Sequence, residues 1–179
     1  MNIRNSARLA LLTTTTMLGA AVALDAMAGT TTQTLSVTAT VANNCAFTTN
    51  AVAFGGYDPV VTNATAALTA TGSLLVTCTA GDSIAIGFDQ GGNGTGSLTA
   101  PVRSMGSGGN LLAYSLFWPS AAGSGGTATT TLWGTGGGTS FTYTATGAAQ
   151  TINVFGSVAG GQSVPAGSYA DTVNVTVNY

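Results

Sequence analysis

The chain has 179 residues, 26 of them glycine, and only 4% of its residues are charged. No Lys, Glu or His occurs anywhere, so three arginines stand against five aspartates. So few cations exclude a nucleic-acid partner, since a phosphate backbone is captured by a basic surface. The lack of His, Lys and Glu removes most general bases, and the composition argues against an enzyme.

The chain opens with the pattern of an export signal. Arg4 and Arg8 form a basic start, Leu9 to Leu24 is apolar, and Ala26-Met27-Ala28 is a small-residue cleavage site. Residues 1–28 are therefore expected to be removed, leaving a chain from Gly29 with no stable membrane anchor. Arg103 then stands alone against Asp58, Asp82, Asp89 and Asp171, for a net charge of −3. The 45% hydrophobic fraction is too high for disorder. A neutral, Thr-rich surface is also poorly protected against self-association. In an exported chain the two cysteines, Cys45 and Cys78, are expected to form a disulfide. A metal pair would need further ligands, and neither a metal nor a cofactor is expected.

From Gly29 onward the pattern is that of short strands between Gly, Asn, Pro and Asp punctuation. Leu35, Val37, Ala39 and Val41 alternate with Ser36, Thr38 and Thr40. Ala51 to Phe54 runs into the turn Gly55-Gly56-Tyr57-Asp58-Pro59. Strands are predicted over 73–79, 83–88, 111–118, 139–144 and 151–158. A last run places Val173, Val175, Val177 and Tyr179 on one face. Regular short strands without helices predict an all-β sandwich or barrel.

The glycine-rich patches carry little chemistry. Asp89 to Gly96 lacks the acidic spacing of a calcium loop, and Gly134 to Gly138 lacks the lysine and helix of a phosphate cradle. Both are read as loops. The four aspartates lie beside turns, where local hydrogen bonding to the backbone explains them. Trp118, Tyr114 and Phe117 are read as core, with Trp133 the exception because its neighbours are glycines: a candidate sugar-stacking residue.

One set of features spans the chain after the signal. It comprises the Leu35–Val41 run shortly before Cys45, Phe54-Gly55-Gly56-Tyr57-Asp58, Val76-Thr77-Cys78 and Leu112 to Phe117. It continues with Phe155-Gly156-Ser157-Val158 and the closing run from Gly167-Ser168-Tyr169-Ala170-Asp171. In these the chain resembles the spore coat protein U domain family, which includes major subunits of archaic chaperone–usher pili. It departs from that pattern in its near-absence of charge and its longer Gly/Thr loops.

The resemblance implies an immunoglobulin-like sandwich lacking its final strand, borne by residues 43–179 and preceded by a donor segment, 29–42. A periplasmic chaperone would fill the open groove first, and the neighbouring subunit's N-terminal strand would then replace it at an outer-membrane usher. Leu35, Val37, Ala39 and Val41 would enter the neighbour's groove. Val173, Val175, Val177 and Tyr179 would form the groove-edge strand. The implied product is a cell-surface pilus of head-to-tail subunits serving adhesion and biofilm formation. Two alternatives stay open. Leu35–Val41 has equally the pattern of a first strand in the chain's own sandwich, and the alternative function is a self-contained secreted spore-coat or matrix module binding surface glycans.

Overall fold

The computed structural model describes residues 28–179, so the stretch read as a signal lies outside the described residues except for Ala28. The chain divides into two units at Ala39–Thr40. In the first, residues 28–39 belong to no strand and are exposed throughout.

The second unit, Thr40–Tyr179, is all β. Its strands are β1 (Cys45–Asn50), β2 (Leu68–Cys78), β3 (Ser83–Phe88), β4 (Thr95–Ser97) and β5 (Ala100–Ser107). They are followed by β6 (Asn110–Pro119), β7 (Ala128–Leu132), β8 (Phe141–Thr144), β9 (Gln150–Val158) and β10 (Val175–Asn178). Two antiparallel sheets form a sandwich. The larger has the order β1-β2-β9-β6-β5-β4, with β7 also paired to β6, and the smaller has the order β10-β3-β8.

Period-2 alternation decides what lies between the sheets. Leu74, Val76 and Cys78 of β2, Ile152, Val154 and Val158 of β9, and Leu112, Tyr114 and Leu116 of β6 are buried. Ile84, Ile86 and Phe88 of β3 meet them from the smaller sheet, with Phe141 of β8. The Cys45–Cys78 disulfide forms, joining the start of β1 to the end of β2 where the two residues are register partners.

Several sequence readings need correction. The run 73–79 is the second half of a longer strand, β2, which begins at Leu68. Ala51 to Phe54 alternates like a strand but pairs with nothing. After Asn50 it leaves the ladder and lies over the inner face of the larger sheet. A Cβ on Gly156 would sit 2.6 Å from Val52 Cγ1 and 2.7 Å from Phe54 Cζ, and one on Gly72 would sit 2.8 Å from Val52 Cγ2. Two strand glycines thus admit a crossing segment that any side chain would displace. The final strand is also shorter than its pattern: pairing with β3 covers only Val175 to Asn178, and Tyr179 lies beyond it, exposed.

Candidate functional site: an open apolar cleft

The narrower sheet leaves part of the larger one to be covered by two irregular segments, 49–57 and 164–171. Between them lies a cleft of about 1070 Å³. Its floor is Leu68 and Leu74 of β2, Leu112 and Leu116 of β6, and Val154 and Val158 of β9. One wall is the crossing segment 49–57, carrying Val52, Phe54 and Tyr57. The other is the strap 164–171, continuing into Val173 and Val175 beside Phe88.

The cleft occupies one end of the sandwich. Leu68 opens β2 and Val158 closes β9, and both line it. Beyond the cleft the sandwich is filled by Trp133, which stacks on the cleft-lining Phe88, by Phe141 and by Ile152, the register partner of Leu74, and the disulfide lies at the far end of β2. The cleft mouth at Leu68 and the disulfide at Cys78 stand at the two ends of β2, roughly 33 Å apart at the usual rise per residue, and the cleft floor reaches along it as far as Leu74. Residues 42–44 are held at the filled end. Asn44 N–H donates to Thr79 Oγ1 at 3.0 Å, Thr79 N–H donates to the Asn44 carbonyl at 3.0 Å, and the Thr79 hydroxyl donates to the Ala42 carbonyl at 3.4 Å.

A polar seam fixes the strap wall. Arg103 of β5, only 1% exposed, spans the sandwich. It donates to the Asp89 carbonyl (Nε, 2.8 Å), the Phe88 carbonyl (3.1 Å) and the Trp133 carbonyl (2.6 Å). Its register partner Tyr114 donates to Asp171 Oδ2 at 2.7 Å, and Asp171 Oδ1 accepts the Gly92 N–H at 2.8 Å. Asp89 accepts from the Asn174 side chain at 2.6 Å and from the Asn174 N–H at 2.9 Å, which ties β10 to the end of β3.

The ionisation equilibria follow this geometry. Burial, reinforced by the Asp171 hydrogen bond, pushes the Tyr114 phenol well above its ordinary range, so it is a permanent donor. Burial raises the Asp89 carboxyl, but the Asn174 and Gly91 hydrogen bonds and the Arg103 charge outweigh that and hold it below its ordinary value. Burial also pulls the Arg103 guanidinium down, against the opposing charges of Asp89 and Asp171.

The predicted site residues fall into three places. Val173 and Val175 line the cleft, while Val177 lies further along β10 toward the filled end, and Tyr179 lies outside the strand. Among the described residues, β10 pairs with β3 on one side only, and no strand pairs its other edge. Leu35, Val37 and Val41 are 88%, 86% and 81% exposed. The reading of Trp133 as a ligand platform is overturned: it is 0% exposed, stacked on Phe88 at 4.1 Å, with its indole N–H donating to the Ile86 carbonyl at 2.8 Å. The local account of the aspartates holds for Asp58, whose carboxylate caps the Val60 and Val61 N–H groups. It fails for Asp171, whose partners are distant in sequence.

Sequence reasoning missed the Arg103 seam. Its one legible signal was an arginine in a β-alternating run with no acid beside it. Among the described residues, no group of three His, Cys, Asp or Glu side chains is placed to hold a metal ion.

The described residues thus form a sandwich with an apolar cleft bordered by an edge of β10 that no described strand pairs. The Spore Coat Protein U domain model matches residues 31–176, and the chain belongs to that family. It is 33% identical over 164 residues to Protein U of Myxococcus xanthus, covering 86% of this chain and 88% of that one. Among solved structures, it is similar to a chain of the CsuC–CsuE chaperone–tip adhesion subunit pre-assembly complex from archaic chaperone–usher Csu pili of Acinetobacter baumannii. That likeness has 21% identity and a TM-score of 0.49. It covers 78% of this chain and 41% of the solved chain, so this chain spans about two-fifths of that length.

Proposed function

We propose that the chain is a structural subunit of a cell-surface fibre, joined to its neighbours by strand donation. Residues 29–42 of one copy add to the free edge of β10 in the next and fill its cleft. A periplasmic chaperone occupies the cleft before assembly, and an outer-membrane usher is the site of exchange. Adhesion and biofilm formation are the roles such a fibre serves.

One observation carries this reading: the cleft and the root of the N-terminal arm lie at opposite ends of the sandwich. A head-to-tail contact between opposite ends does not close on itself and gives a filament. The dimensions agree. Leu35 to Val41 covers the same number of residue steps as Leu68 to Leu74 along the cleft floor, roughly 20 Å in each case. Leu35, Val37 and Val41 would each gain about 1.5–3 kcal/mol on burial, and Ala39 less. The β10 edge supplies unpaired N–H and C=O groups for a backbone ladder.

Amide hydrogen exchange on the full chain tests this. In the assembled state, both the 35–41 amides and the edge amides of Val175–Asn178 should slow relative to unassembled protein. Arm amides that exchange in the fibre at the rate of a free chain would rule the proposal out.

A further inference from the structure

We propose that the loop tip Val60–Val61 is a second contact between successive subunits, seated against the arm-root end of the neighbouring copy. This rests on the strand-donation reading and adds to it a built surface patch. Val60 and Val61 are 80% and 75% exposed, two adjacent branched side chains held out into water.

The loop presenting them is rigidly bonded. Asp58 Oδ1 accepts the N–H groups of Val60 at 2.9 Å and Val61 at 3.1 Å. Asn63, itself buried, returns two backbone contacts to Asp58: its N–H donates to the Asp58 carbonyl at 2.7 Å and its Oδ1 accepts the Asp58 N–H at 3.1 Å. The Asn63 amide donates to the Ala66 carbonyl at 3.2 Å, and the Gly161 N–H donates to the Asn63 carbonyl at 2.7 Å. Such a network holds an apolar tip in place where a mobile loop would fold its valines inward. The Asp58 carboxylate stays ionised at the base of the tip, while the tip itself presents the two valines.

The occupant follows from chain length. Tyr57 and Pro59, flanking the tip, line the cleft, so the tip stands at the cleft's end of the sandwich. An arm attached to a folded body inserts tip first, with Leu35 deepest and Val41 at the mouth. Only residues 42–44 then separate Val41 from the Cys45 bridge, and Asn44 is already bonded to Thr79 of its own body. Three extended residues reach roughly 10 Å. The donating body must therefore sit against the cleft mouth, with Val60 and Val61 in its footprint.

What that body presents is small and nearly uncharged. The Thr79–Asp82 turn and the 145–149 loop lie together there: the Gly81 N–H donates to the Ala145 carbonyl, and the Ala145 N–H to the Asp82 carbonyl, each at 2.9 Å. Ala80, Gly147, Ala148 and Ala149 are exposed on this end. Two valines against alanine and glycine make a dry contact that fixes the angle between subunits, which a strand in a cleft leaves free to swing.

The test places p-benzoylphenylalanine at Val61 in the full chain and irradiates fibres assembled from mixed ¹⁴N and ¹⁵N protein. Mixed-isotope cross-links to residues 79–82 or 145–149 are expected. Fibres that form but give cross-links elsewhere, within one chain, or none, overturn the contact while leaving strand donation standing. A second variant, Val60→Ser with Val61→Ser, should keep detergent-resistant multimers but lose the regular angle between subunits in electron micrographs. An unchanged angle also overturns it. Failure of the donation reading itself is seen separately, as fibres from a chain without residues 29–41.

Discussion

The Tyr114 hydroxyl donates to Asp171 Oδ2 at 2.7 Å across 57 residues of sequence, joining the inner face of β6 to the strap that walls the cleft. Asp171 anchors the strap alongside the Gly106–Ala170 backbone bridge, and its other oxygen accepts the Gly92 N–H. Asp171→Ala leaves a buried phenol and a backbone donor unpaired and should cost about 1–3 kcal/mol in urea unfolding. Tyr114→Phe should cost about 1 kcal/mol. A double-mutant cycle should give a coupling above about 0.5 kcal/mol, whereas strictly additive losses would mean that the strap is held by other contacts.

Arg103 is a buried cation serving the backbone carbonyls of Phe88, Asp89 and Trp133. Arg103→Ala strips those buried acceptors of a charged donor and should destabilise the domain by at least about 1–3 kcal/mol, the cost of leaving a buried acceptor unpaired. Arg103→Lys should recover only part of the loss, since one ammonium cannot reproduce the planar fork. Thermal unfolding of the three proteins checks this, and full recovery by lysine would show that charge alone matters.

Much of the sandwich was legible because its physics is local. The alternation in Ser83–Phe88 and in Thr151–Val158 needs only one buried face, and those strands appear nearly as read. Ala51 to Phe54 was misread because alternation reports burial, and Val52 and Phe54 are half-buried over glycines without any ladder. Trp133 was misread for a related reason. Its flanking glycines mark a loop, and nothing local reveals that Phe88 and the Ile86 carbonyl, far away in sequence, close around the ring. The β4–β5 hairpin and β7 were missed since Gly, Ser and Thr give them little hydrophobic period.

With no histidine in the chain, stability should be flat through neutral pH. Asp89 is held below its ordinary value in the folded state, so its stabilisation is fully present above the unfolded carboxylate pKa of about 4 and is lost as pH falls through the lower folded value. Asp58 acts in the same direction through its Val60 and Val61 hydrogen bonds. Tyr114 is raised, so its contribution is present below about pH 10 and is lost as pH rises beyond that. Melting temperature should therefore fall below about pH 4 and above about pH 10. Asp89→Asn should shallow the acid limb, and a step near pH 6 would contradict this account.

The Cys45–Cys78 bridge closes a loop with a sequence separation of 33, worth about 3–4 kcal/mol in the chain-entropy description. It also anchors the arm's root to β2. Cys45→Ser or Cys78→Ser should lower the recovered level of subunit and fibre together, without altering the spacing of any fibre that forms. Quantitative blotting and micrographs of the exported material measure both. Wild-type yield from either variant would remove the bridge from the account.

The central claim is that the arm of one copy completes the next, and removing residues 29–41 while keeping residues 1–28 and the body tests it most directly. Exported material from the intact chain, run in detergent without heating, should show a ladder of multimers that collapses to one band on boiling. The truncated chain should give the single band from the start, with its body still folded and disulfide-bonded. A ladder from the truncated chain would contradict the account.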